Sequence, residues 1–277
     1  MRNHSFFSNI STIPLLSLFA VLLMSMTATL QAAAPDAKAE PKPKSGASAP
    51  DGSAPFTPAA DMAGSWDFTA DPKLPNVLII GDSISIGYTR QARQKLVGKA
   101  NVYRPMRGKG PDNCGDTTIG LNKIDAWLGE RKWDIIHFNW GLWDLCYRNP
   151  DSKVQGNRDK VGGKVSTTPE DYEKNLEKLV VRMKATGAKL IWANTTVVPD
   201  GEVGRFVGDD VKYNLIAARV MRKHEVPTND LFTLTKGFSG AHSTKAGDVH
   251  FTEEGYGEIA VQVAATIGSS LTNKPEP

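Results

Sequence analysis

Two residues far apart in the chain have the types that nucleophilic catalysis needs. Ser83 ends the tripeptide Gly81-Asp82-Ser83, directly after the apolar run Asn76-Val77-Leu78-Ile79-Ile80. A hydroxyl at such a strand-to-helix turn lies at the functional edge of a sheet, where the N–H groups of the helix start can stabilise a developing oxyanion. A lone serine there reads first as a helix cap, and to be a nucleophile it needs a base. His250 can be that base. It stands in Asp248-Val249-His250, just ahead of a helical stretch, with a carboxylate two residues away to orient its ring. Asp82 sits at the same edge as Ser83, where it would tether the loops around the nucleophile.

The other histidines fit structural roles better. His137 falls on a buried strand and His224 ends a helix, where its charge suits the dipole. His242 shares a loop with His250 and could reach the cleft, but has no comparable carboxylate beside it.

The elements that must position these groups alternate regularly. Residues 76–80 read as a strand and 86–97 as a helix. Strand 100–104 and helix 119–130 follow, and then strand 134–139, apolar enough to be buried on both faces. Thr168-Pro169-Glu170-Asp171 is a strong helix start, with a capping hydroxyl, proline at the first helical position and two acids at the positive end of the dipole. Leu176, Leu179, Val180 and Met183 recur at helical spacing before Gly187. Strand 189–193, helix 209–224, a weak edge strand at 226–231 marked by Pro227, and helix 252–271 complete the order. Such alternation predicts a mostly parallel, flavodoxin-like sheet of five strands with helices on both faces, its functional loops beyond the carboxyl ends of the strands.

Ahead of this domain, Arg2 and His4 precede an apolar run from Ile13 to Leu30 and the cluster Ala32-Ala33-Ala34. That layout predicts a secretory signal over residues 1–34, with export to a periplasmic or extracellular space and no permanent membrane span after cleavage. Residues 35–60, rich in Ala, Pro, Lys, Ser and Gly, read as a disordered linker, and 61–277 as the domain. In an exported chain, Cys114 and Cys146, on loops that follow successive predicted strands, are expected to form a disulfide. The 33 basic and 30 acidic residues are interspersed, so the basic footprint of nucleic-acid binding is missing.

Four segments, in order, resemble the motifs of the SGNH/GDSL hydrolases: Gly81-Asp82-Ser83, Asn113-Cys114-Gly115-Asp116-Thr117, Asn139-Trp140-Gly141-Leu142-Trp143-Asp144 and Asp248-Val249-His250. They span about Asn76 to Ile267, nearly the whole domain. The resemblance implies a three-layer α/β/α sandwich and ester hydrolysis through an acyl-enzyme, with neither metal nor cofactor. It also implies that Gly115 offers its backbone N–H to the oxyanion.

The sequence departs from that pattern twice. Trp143 stands where the family has an asparagine that donates to the oxyanion, and Gly247 stands where the family has its aspartate, so Asp248 is one residue nearer the histidine. The missing donor would come from the Trp143 indole, from Asn139, or from the backbone at Ser83 and Gly115 alone. Trp143 reads equally as a hydrophobic wall or a platform for a sugar ring. Export, the linker, and Trp140 and Trp143 by the cleft point to a small acyl ester, acetyl foremost, on a carbohydrate as substrate. The two departures admit a second reading, a catalytically weakened domain that binds glycans or a surface partner.

Overall fold

The computed structural model describes residues 66–272, so the expected signal and linker lie outside the described residues. The elements run β1 (Asn76–Ile80), α1 (Ser83–Lys95), β2 (Asn101–Tyr103), β3 (Met106–Arg107), β4 (Gly110–Pro111) and α2 (Thr117–Leu128). There follow β5 (Ile135–Phe138), β6 (Tyr147–Arg148), β7 (Lys164–Val165), α3 (Pro169–Lys184) and β8 (Lys189–Ala193). The last are α4 (Asp209–Lys223), β9 (Thr228–Asn229), α5 (Leu231–Lys236) and α6 (Glu253–Thr272).

Five strands form one parallel sheet in the order β2-β1-β5-β8-β9, as the alternation predicts. β5 is buried throughout, and β1 and β8 from their second residues onward, because helices cover both faces. Helices α1 and α6 pack together with α5 beside them, while α2, α3 and α4 pack in succession to make the other layer. Helix α3 shows how the sequence makes such a layer. Thr168 accepts the Asp171 N–H at 3.2 Å, Pro169 opens the first turn, and Tyr172, Leu176, Leu179, Val180 and Met183 are all buried. Each such side chain contributes about 1.5 to 3 kcal/mol by leaving water.

The weak fifth strand is shorter than its sequence suggests. Pro227 cannot donate to the ladder, although its carbonyl accepts the Trp192 N–H, and Asp230 caps α5 two residues after β9 begins. The register ends β1 and β5 together, pairing Ile80 with Phe138, so Gly81 and Asn139 emerge side by side.

The expected disulfide is not formed: Cys114 and Cys146 are both free and fully buried. The loop after β2 folds inward, and the Cys114 thiol points to the Asp112 carbonyl beside Arg104, where burial pushes it up to about 12. The turn after β5 sends Cys146 elsewhere, against Gly204 and its own neighbour's carbonyl. A thiol-specific reagent should therefore find neither cysteine in the native protein and both after denaturation without reductant.

Asp144, on the loop after β5, ties together the starts of α2 and α3 at this end. Its Oδ1 accepts the Thr117 N–H at 2.9 Å and the Thr117 hydroxyl at 2.6 Å, and its backbone carbonyl accepts Thr167 N–H at 3.0 Å. Its Oδ2 is buried with no hydrogen-bond partner among the described residues, and burial raises the carboxyl to about 7 against the Thr117 hydrogen bonds. A folded-state value above the unfolded one means that the folded chain holds the extra proton between about pH 4 and 7. The stability this group contributes is thus whole below about pH 4 and is lost as pH rises through 7. Asp144→Asn should melt progressively higher relative to the unsubstituted protein as pH rises over that window, with the gap level above it.

Candidate active site

Asp82, not Ser83, caps helix α1: its Oδ1 accepts the Ile84 N–H at 3.0 Å. Capping by the preceding residue leaves the Ser83 hydroxyl for other work. Ser83 Oγ lies 2.9 Å from His250 Nε2. Burial raises the Asp82 carboxyl, while the Ile84 N–H and the charges of Arg205, His250 and Arg104 pull it back.

Beneath this turn lies a residue with no signal in the sequence. Arg104, buried at the end of β2, donates to the Gly81 carbonyl at 3.3 Å and the Asp112 carbonyl at 2.9 Å through Nη2. Its Nη1 reaches the hydroxyls of Ser85 and Thr89 at 3.2 and 3.3 Å. One guanidinium thereby fixes the exits of two strands.

His250 Nδ1 lies 2.7 Å from Asp248 Oδ1, which also accepts the His250 backbone N–H at 3.1 Å. Thr244 donates its hydroxyl to the other carboxylate oxygen at 3.1 Å. Burial alone would raise the Asp248 carboxyl, but its bonds to the His250 ring and N–H, the ring's charge and Thr244 hold it well below the usual carboxylate range. An ionised carboxylate accepts only, so Nδ1 carries the ring proton and Nε2 faces Ser83 as an acceptor. Both links fall within hydrogen-bond reach, and the array can draw the proton from a serine hydroxyl and return it to a leaving group.

The one-residue shift of the aspartate has a steric cause. Gly247 has φ +73°, and a Cβ there would lie 2.7 Å from the Gly201 carbonyl oxygen and 2.9 Å from its carbon. The triad loop rests backbone to backbone on the loop after β8, so no side chain fits three residues before the histidine. Asp248 reaches the ring from the next position.

The three oxyanion candidates sit differently. Gly115 has φ +58°, and a Cβ there would fall 2.5 Å from Ile119 Cδ1. Its N–H donates to Asn113 Oδ1 at 3.1 Å. Asn139 donates its side-chain amide to the Ala193 carbonyl at 2.7 Å, tying the end of β5 to β8. Trp143 is half-buried, and Arg148 lies over its ring at 4.7 Å; its indole N–H has no hydrogen-bond partner among the described residues. Trp140, by contrast, is fully buried and donates to the Cys114 carbonyl at 3.3 Å, so it belongs to the core rather than to the cleft.

His137 is a core residue as its strand implies, hydrogen-bonded to Asn229 at 3.1 Å, with burial lowering its ring to about 4. His224, at the end of α4, bonds Glu177 at 3.0 Å. His242 stacks on Phe238 and accepts the Ser239 N–H at 3.2 Å, a local structural role. Glu202 and Arg205 are a second pair missed by sequence reasoning. They are buried together, with 2.8 Å between Arg205 Nη1 and Glu202 Oε1.

Comparison with solved structures finds this fold repeatedly. An acetyl xylan esterase, AlAXEase, superposes with a TM-score of 0.55 at 13% identity, covering 69% of this chain and 99% of that one. A lipase/acylhydrolase from Enterococcus faecalis gives 0.57 at 18%, covering 73% and 100%. LAE5, an alpha/beta hydrolase enzyme from the metagenome of Lake Arreo, gives 0.53 at 17%, covering 75% and 99%. No curated protein matches the sequence. The model of the GDSL-like lipase/acylhydrolase family matches residues 79–257, which run from the end of β1 past the triad loop into α6, and the chain belongs to that family.

Proposed function

We propose that this protein is an exported serine esterase that removes small acyl groups, acetyl foremost, from a carbohydrate. The hydrogen-bonded series Ser83, His250, Asp248 carries the reading. Ser83 Oγ attacks the ester carbonyl while His250 Nε2 takes its proton, and Asp248 stabilises the imidazolium that forms. His250 then gives that proton to the departing sugar oxygen, which leaves as a hydroxyl, and water hydrolyses the remaining acyl-enzyme by the same relay. The carbohydrate part of the proposal rests on the half-exposed Trp143 with Arg148 over its face, and on Tyr147, four residues on, whose ring meets Phe206 of the loop after β8 edge to face at 5.1 Å. An aromatic face beside a polar group suits a sugar ring, which has an apolar face and hydroxyl edges. The acetyl xylan esterase among the structural neighbours supports the same class without setting it. Export rests on the apolar run and alanine cluster of residues 13–34.

A weakened, glycan-binding domain is the second reading, favoured by the Gly115 N–H turned to Asn113 and by Trp143 in the place of a donor asparagine. Hydrolysis of an aryl acetate by the purified protein separates the two. Ser83→Ala should lower kcat by about a thousandfold or more, and equal rates in both proteins would leave the binding reading standing. Release of acetate from acetylated xylan, measured beside a long-chain aryl ester, tests the substrate class; a preference for the long chain would overturn it.

Asp248 gives a separate test. Asp248→Asn removes the charge that stabilises the imidazolium and should cost about 10²- to 10⁴-fold in kcat with little change in KM. Activity within a few-fold of the unsubstituted protein would show that Ser83 and His250 act as a dyad.

A further inference from the structure

The loop between β8 and α4 holds a buried ionic cluster that reaches the turn after β5 and adjoins the loop of Asp248. Glu202 is fully buried and Arg205 is 2% exposed. Glu202 Oε1 takes Arg205 Nη1 at 2.8 Å and Arg158 Nη1 at 3.2 Å, while its Oε2 accepts the Gly204 N–H at 2.7 Å. Arg205 Nε donates to the Leu142 carbonyl at 2.7 Å. Leu142 lines a small cavity with Ile84, the neighbour of Ser83, and it precedes Trp143. The same loop is zipped to the long insertion after β5 through Tyr147 N–H to Gly204 O at 2.7 Å and Lys160 N–H to Val203 O at 2.9 Å. On its other side Gly201 touches Gly247, one residue from Asp248.

We propose that Arg205, held in place by Glu202, is a positioning residue for ester hydrolysis: its bond to the Leu142 carbonyl sets the turn that follows β5 and carries Leu142, which packs by Ile84, and Trp143 after it. This rests on the esterase reading above. Three observations support it. The cluster is too buried to be a solvent-screened surface pair, and a charge pair in such a place is costly unless geometry and hydrogen bonds are complete. The turn Gly141–Leu145 closes with Leu145 N–H to Gly141 O at 2.9 Å and is tied at Asp144 to Thr117 and Thr167, so the Arg205 bond to the Leu142 carbonyl is the anchor on its first half, just ahead of Trp143. The charge of Arg205 also favours the ionised form of Asp82, the residue before Ser83, against the burial that raises it.

A lysine at this position keeps the positive charge beside Glu202 but cannot present the planar fork that reaches both Glu202 and the Leu142 carbonyl. The test uses full-length protein with Arg205→Lys and Glu202→Gln, each labelled with 5-fluorotryptophan, the Trp143 fluorine resonance being identified by its loss in Trp143→Phe. Melting temperature, kcat and KM for a short aryl acetate, and the Trp143 resonance are measured. Arg205→Lys should stay folded, move the Trp143 resonance, and lose about tenfold to a hundredfold in kcat with KM within about threefold, as expected when a reacting site is displaced rather than unbound. Glu202→Gln should move the same resonance in the same direction. A folded Arg205→Lys with kcat within twofold and an unmoved resonance would overturn the proposal, and if that variant does not fold, an unmoved resonance in Glu202→Gln does so. If the unsubstituted protein shows no Ser83-dependent hydrolysis, the esterase reading fails by itself, while the resonance still decides whether Arg205 sets the turn.

Discussion

The hydrogen bond between Ser83 and His250 joins residues 167 apart in sequence, and it depends on how closely α1 and α6 approach. Ser83 is the first residue of α1, and His250 lies three residues before α6 begins. The two helices meet about one turn in from those ends, where Gly87 receives the ring of Tyr256; a Cβ at Gly87 would lie 2.2 Å from Tyr256 Cε1. Glycine inside a helix costs about 1 kcal/mol relative to alanine. Here the bare backbone lets the two helix starts approach closely enough for Ser83 and His250 to hydrogen-bond. The packing of one aromatic ring on one bare backbone thus lets Ser83 and His250 approach to 2.9 Å.

The remaining contacts follow the same pattern of side chains giving way to backbone. Gly247 lies on Gly201, and Gly141 lies under Thr195, whose hydroxyl oxygen would be struck by any Cβ placed there. In each case a motif loop is located by its main chain rather than by a side chain. This explains why the acid of the relay stands where it does: the residue three before the histidine is spent on close approach, and Asp248 takes up the role from a position where its carboxylate can also be held by Thr244.

These contacts also mark what a sequence can disclose. Strand β1, helix α3 and the Ser83 and His250 positions were legible because each is written locally, in an apolar run, a cap with its proline, or a short motif at an element's edge. Asp248 was legible for the same reason. The fate of Cys114 and Cys146 was not, since it depends on which way two loops turn after leaving adjacent regions of the sheet. Trp140 and Trp143 look alike in sequence, yet one is core and the other is half-buried under Arg148, a difference of burial that a single turn decides. Arg104 and Arg205 gave no signal because an arginine at a strand end or in a loop reads as a solvated charge until its partners are known.

Those two arginines share a physical task. The carboxyl edge of a parallel sheet is where strands end and their last carbonyls lose ladder partners, yet here the loops that follow are folded inward to make a site. Buried carbonyls need donors, and water is excluded. A guanidinium offers five N–H groups in a fixed plane, more than any other side chain. Arg104 uses them on Gly81 and Asp112, and Arg205 on Leu142, so the exits of β1 and β5 and the loop after β2 are all held by donors from within the protein. The two cations are balanced differently. Glu202 pairs directly with Arg205, whereas Arg104 is surrounded by carbonyls and hydroxyls, with the carboxylates of Asp82 and Asp112 and burial acting on it from opposite sides. Burying such charges costs more than an apolar substitute would in stability alone. What it secures is a set of irregular loops with one arrangement, which is what a nucleophile and base must have if they are to meet at 2.9 Å.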